Sequence, residues 1–177
     1  MRRPSPKLIL LPALVAVALA CSTAPHAPPE PRGFVAGRAQ DFSASLFLTD
    51  DSEKFVAALE RPGDPAKLNV TDHASRGQLI EVFVAVTGCA ANAGGSCDVS
   101  VDFEVRDADG RVRARQEGAR LWRVPPKAAP GKVLFGEATV ALRLAADDPV
   151  GTWEVGATVH ERVRNQSVML RTGLLVE

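Results

Sequence analysis

From Val99 to Arg106 the side chains alternate without a break. Val99, Val101, Phe103 and Val105 take one face, and Ser100, Asp102, Glu104 and Arg106 take the other. Successive residues of an extended chain point to opposite sides, so this stretch is a strand with one buried and one wet face. Asp107-Ala-Asp-Gly110 follows as a turn with Gly where positive φ is needed, and Arg111 to Arg115 returns. Pairing Arg106 with Arg111 sets Glu104 against Arg113, Asp102 against Arg115 and Val105 against Val112. Each exposed opposite-charge pair is worth only about a few tenths of a kcal/mol, but together they fix the register. The arginine row therefore reads as cross-strand pairing, not as a phosphate-binding stripe.

The same period recurs. Phe42, Ala44, Leu46 and Leu48 alternate with Ser43, Ser45, Phe47 and Thr49, and further strands are expected over Gln78–Thr87, Leu134–Leu144, Thr152–His160 and Ser167–Val176. Asp50-Asp51-Ser52 supplies capping residues before Glu53–Glu60, and Pro62-Gly63 ends that helix. Gln78–Thr87 is apolar on both faces, which requires cover on both. The helix is thus predicted to lay Phe55 or Leu59 over the outer face near Phe47 and Phe83. The alternative is an exposed apolar patch that binds a partner. Seven or eight antiparallel strands with one short inserted helix imply an all-β, immunoglobulin-like antiparallel β-sandwich, with a Greek-key β-barrel as the alternative.

Asp148-Pro-Val-Gly-Thr-Trp-Glu-Val155 resembles the entry into a late strand of bacterial immunoglobulin-like and macroglobulin-type domains. The aromatic in those domains is commonly Tyr, held at a sheet corner; here it is Trp153, so the corner hydrogen bond that the resemblance implies falls to the indole N–H. The resemblance implies a terminal hairpin through Val176 and bears on architecture, not on activity.

Arg2, Arg3 and Lys7 precede an apolar run from Leu8 to Ala20, with Cys21 directly after it. The run is short for a bilayer span and reads as an export signal. Ala18-Leu-Ala-Cys21 resembles the lipobox of bacterial lipoprotein precursors, which implies acylation of Cys21. Ordinary signal peptidase cleavage, leaving a soluble periplasmic or secreted chain, is the alternative. Ser22 is compatible with sorting to the outer membrane. The expected organisation is a signal peptide over 1–20, a Pro/Ala-rich lipid-anchored tether over 21–40 and a sandwich domain over 41–177.

Basic and acidic residues number 21 each; loss of Arg2, Arg3 and Lys7 with the leader leaves 18 basic against 21 acidic. Such a balance offers no positive field for nucleic acid. Cys89 and Cys97, separated by small and flexible residues, are expected to form a disulfide in an oxidising compartment. Two thiols without a nearby His or third Cys make a poor zinc site.

No nucleophile elbow, phosphate loop, His-Glu-x-x-His or dinucleotide glycine pattern occurs in the sequence. Asp107-Ala-Asp-Gly-Arg111 lacks the later ligands of a calcium loop. A hydrolase would need His73 or His160 to meet Ser or Asp in space. Trp122, between Arg120 and Arg123, is the candidate binding side chain, either as an interface anchor or as a stacking surface for sugar. Its alternative is a strand-end Trp closing the core. The expected function is non-enzymatic, without cofactor, metal or small-molecule ligand: a lipid-anchored envelope module facing the periplasm that binds another envelope protein. Glycan or peptidoglycan binding is the alternative, and a small hydrolase comes third.

Overall fold

The alternating runs form strands where their period places them. The computed structural model describes residues 27–59 and 68–177; the leader, Cys21 and His26 lie outside the described residues. The elements are β1 (Phe34–Ala39), β2 (Phe42–Thr49), α1 (Ser52–Leu59), β3 (His73–Ala74), β4 (Leu79–Thr87), β5 (Val99–Arg106), β6 (Val112–Arg120), β7 (Leu134–Phe135), β8 (Val140–Arg143), β9 (Gly151–Glu161) and β10 (Gln166–Val176). One five-stranded sheet runs β1-β2-β4-β7 with β8 also paired to β4; the other runs β3-β10-β9-β5-β6. Pairing is antiparallel except between β3 and β10. The chain is an immunoglobulin-like antiparallel β-sandwich with one short inserted helix, not a closed barrel.

The inner faces carry the expected alternation. Leu46, Leu48, Val82 and Val84 share a buried core with Val101, Phe103, Val159 and Leu170. Trp153 is fully buried, and its indole N–H donates to the Pro149 carbonyl at 2.9 Å, the corner bond that the resemblance implied. Helix α1 is N-capped by Asp51, whose Oδ1 accepts the Lys54 N–H at 2.9 Å. It covers the outer face of the first sheet as expected: the Phe55 ring stacks on Phe83 at 4.9 Å and tilts against Phe47 at 5.5 Å. Cys89 and Cys97 are joined as a disulfide with their Cα atoms 5.6 Å apart.

Three expectations need correction. Structure begins before residue 41, within the stretch read as tether. Arg32 N–H donates to Gly173 O, Gly173 N–H donates to Glu30 O, and Phe34–Ala39 then pairs with β2. Small residues (Ala36, Gly37, Ala39) let this strand lie close against β10, where a Cβ on Gly37 would meet Val168 at 2.8 Å. Leu134–Leu144 is two strands rather than one, because Glu137 and Ala138 N–H groups turn to the Leu121 carbonyl.

The register of the β5–β6 hairpin also differs. Arg106 pairs with Val112, Val105 with Ala114 and Glu104 with Arg115, with shifts between Val105 and Arg106 and between Val101 and Phe103. The Asp107 carboxylate accepts the Asp109 and Arg111 N–H groups, so the turn closes at Asp107–Arg111 and a bulge follows. Gly118, at φ +63°, lies on the β6 side of the second shift. Arg113 is thereby taken away from Glu104 and placed between Asp107 and Asp148.

Candidate functional site

The outer face of the β3-β10-β9-β5-β6 sheet gathers the polar side chains that alternation sends outward. Ser100 on β5, His160 on β9 and Ser167 on β10 lie in one cross-strand row, with Asp102 two residues further along β5 on the same face. His160 Nε2 lies 3.0 Å from Asp102 Oδ2, and its Nδ1 lies 2.8 Å from Ser167 Oγ. The other Asp102 oxygen accepts the Gly118 N–H. That N–H first, and His160 after it, hold the Asp102 carboxyl below the ordinary carboxylate range, although partial burial opposes them. An ionised Asp102 only accepts, so His160 donates to it from Nε2 and turns Nδ1 to the Ser167 hydroxyl.

Serine, histidine and aspartate in hydrogen-bonded series suit nucleophile activation. Acyl transfer also needs donors for the oxyanion, aimed above the face where an adduct on Ser167 Oγ would stand. Ser167 is the second residue of β10, directly after the turn over 162–165, and the peptides that flank it pair with β9, so their N–H groups lie in the plane of the sheet. Arg162 donates to Ser100 Oγ, on the far side of His160 from Ser167. The array joins β5, β9 and β10 across the outer face.

Further along the same face, Gly156 has no side chain, and a depression of about 300 Å3 opens over it. Its walls are already mated across strands: Glu104 with Arg106 at 2.6 Å and Arg115 at 2.8 Å, and Glu154 with Arg171 at 3.0 Å. Met169, 64% exposed, stands beside it as an apolar side chain on a charged face.

The residues singled out from sequence fall elsewhere. Trp122 is only 5% exposed, and its indole N–H donates to the Phe135 carbonyl at 2.7 Å. It closes the core, and the exposed stacking or anchoring role is corrected accordingly. Arg123 reaches Glu137, whose carboxyl it lowers through its backbone N–H and then its guanidinium. Arg120 is exposed at the end of β6, opposite Ser100. Arg120 and Arg123 line one open depression with Gln116 and Glu137, while Trp122 between them is turned into the core. Among the described residues the His73 ring bonds its neighbour Asp72, at 3.0 Å, which raises the His73 pKa. His160 is the histidine that meets both Ser and Asp. Its outward position was readable from alternation, whereas its partners required the cross-strand register. No cluster of metal-ligating side chains occurs among the described residues.

No family model matches the chain, and no curated protein matches it in sequence. Among solved structures, a Niemann-Pick type C2 protein from the Japanese carpenter ant is similar over 75% of this chain and 89% of its own, at TM-score 0.41 and 9% identity. The CARDB domain of a Pyrococcus furiosus protein, solved in complex with di-metal ions, covers 60% of this chain and 81% of its own at TM-score 0.35 and 20% identity. A putative ApaA protein from Bordetella pertussis covers 84% and 98%, at TM-score 0.36 and 16% identity. The architecture rests on the strand pairing rather than on these likenesses.

Proposed function

We propose that the chain is a non-catalytic module of the cell envelope, held at the outer membrane through Cys21 and facing the periplasm. It binds another envelope protein through the outer face of the β3-β10-β9-β5-β6 sheet. The observation that carries the reading is Met169, exposed beside the Gly156 depression, whose lining also holds Arg106, Arg115 and Arg171 in ion pairs. Methionine and arginine are enriched at protein interfaces, and a polar rim around an apolar centre is their usual anatomy. The Cys89–Cys97 disulfide fits a non-cytoplasmic compartment, and no described helix is long and apolar enough to cross a membrane.

Affinity capture from detergent-solubilised envelopes tests the reading. The parent chain is expected to recover a reproducible partner that Met169→Glu loses and Val112→Thr, on the edge strand, retains. Recovery of no partner, or equal recovery by Met169→Glu, counts against it. Mass spectrometry of the mature N-terminus is expected to find a lipid on Cys21; an unmodified terminus removes the anchor from the proposal.

A further inference from the structure

The outer face of the first sheet holds a second cavity, of about 360 Å3, which the reading above does not use. Its floor consists of the cross-strand pairs Ser43–Thr87 and Ser45–Ala85, and its walls include the rings of Phe34, Phe47 and Phe135. No lining residue is ionisable. The cavity is polarised along its length. At one end Phe34 pairs with Phe47 across β1 and β2; at the other stand the Ser43 and Thr87 hydroxyls. Arg38 pairs with Ser43 and, four residues from Phe34 on the same strand, shares the outward face. It is exposed, its Nε–H donates to the Gln40 carbonyl, and no carboxylate lies within 4.0 Å of its guanidinium among the described residues.

A phenyl-walled slot with hydroxyls and then a cation at one end matches a molecule with an aliphatic tail and an anionic head. We infer that this slot binds one fatty acid, its chain between the Phe rings over Ser45 and Ala85 and its carboxylate at Ser43, Thr87 and Arg38. The volume lies within the range of small-ligand sites, roughly 300–1,000 Å3. A carboxylate suits this end because arginine and hydroxyl groups both donate to it. The partly exposed walls, with Phe34 at 45% and Val133 at 52%, bury apolar area only when the slot is filled.

Titration calorimetry of the full chain with decanoate, and in parallel with uncharged decanol, tests the assignment. Saturable one-to-one binding of decanoate is expected. Arg38→Gln should weaken decanoate about two- to fivefold, the worth of an exposed ion pair, and leave decanol unchanged. Ser45→Leu, which fills the floor, should remove both, and Ala85→Val supplies the same test if Ser45→Leu does not fold. Met169→Ser, on the opposite sheet, should bind as the parent does, so that this result and the protein-partner reading fail separately. The inference is overturned if neither ligand saturates, if filling the floor leaves binding intact, or if Arg38→Gln weakens decanol as much as decanoate.

Discussion

Arg113→Met probes the ionic cluster that closes one end of the sandwich. The Arg113 guanidinium bonds Asp148, lies 3.5 Å from Asp107 Oδ2 and sits 5.4 Å from the centre of the Trp153 ring. The Asp107 side chain is 0% exposed and that of Asp148 3%. Stranding a buried carboxylate by removing its partner costs about 3–5 kcal/mol. Here each carboxylate keeps backbone donors, Asp109 and Arg111 to Asp107 and Ala145 to Asp148, and Arg113 itself is about one-third exposed. The expected loss is therefore about 2–3 kcal/mol, discounted for solvent and for those surviving bonds. Methionine retains an apolar stem over Trp153, so the loss isolates charge rather than packing. With a urea slope of about 2 kcal/mol/M, the unfolding midpoint should fall by about 1–1.5 M. Adding Asp148→Asn should recover part of that loss, because the stranded charge goes with it. A midpoint within about 0.3 M of the parent, or losses that simply add in the double variant, would refute the reasoning.

Phe55→Ala uncovers Phe47 and Phe83 beneath α1 and should cost about 3 kcal/mol, the low end for a buried Phe because α1 is short and peripheral; a chemical denaturation midpoint equal to that of the parent would contradict the lid. Gly173→Ala places a Cβ 2.4 Å from the Pro29 carbonyl; hydrogen exchange at Arg32 and Gly173 should accelerate while the core stays protected, and unchanged exchange would show that residues 29–31 are not docked there. Asp102 has a lowered folded pKa, so the stability it provides is present above the ordinary carboxylate range and lost as pH falls through the lowered value. Asp102→Asn should accordingly flatten the acid limb of stability, and an identical limb would discount its bonds to Gly118 and His160. Fluorophosphonate probes are expected to leave Ser167 unmodified.

Period alone was enough for β2, β4, β5, β9 and β10, because their buried faces repeat every second residue and admit one register of faces. It failed where pairing depends on partners distant in sequence. Phe34–Ala39 is rich in small residues and follows a Pro-rich stretch, so nothing local marks it as a strand; β2 and β10 make it one. The Asp107–Gly110 turn was visible, but whether it closes on Arg106 or Asp107 depends on the Asp107 side chain, and one residue of difference re-aims Arg113. Trp122 shows the converse: arginine neighbours suggested exposure, and the Phe135 carbonyl that satisfies its indole lies on another strand.

The Ser167–His160–Asp102 series also bears on what sheet geometry does and does not supply. Opposite neighbours lie about 4.5–5.5 Å apart at Cβ and diagonal ones about 7–8 Å, within reach of a ring, so Ser167 opposite His160 and Asp102 on its diagonal come to hydrogen-bonding distance. Polarising a hydroxyl is the easier part of acyl transfer; holding the charge that then develops is the part worth about 10²–10³ in rate per donor. Loops, nests and helix starts direct N–H groups out of a sheet plane, whereas Ser167 has ladder peptides on either side. A fluorophosphonate reports on both parts, since it needs an activated oxygen and a stabilised oxyanion-like adduct. Silence at Ser167 is thus the expected outcome for a strand-joining clasp. Labelling that maps to Ser167 and disappears in His160→Ala would mean that donors reach the adduct from outside the ladder, and the non-catalytic proposal would fall with it.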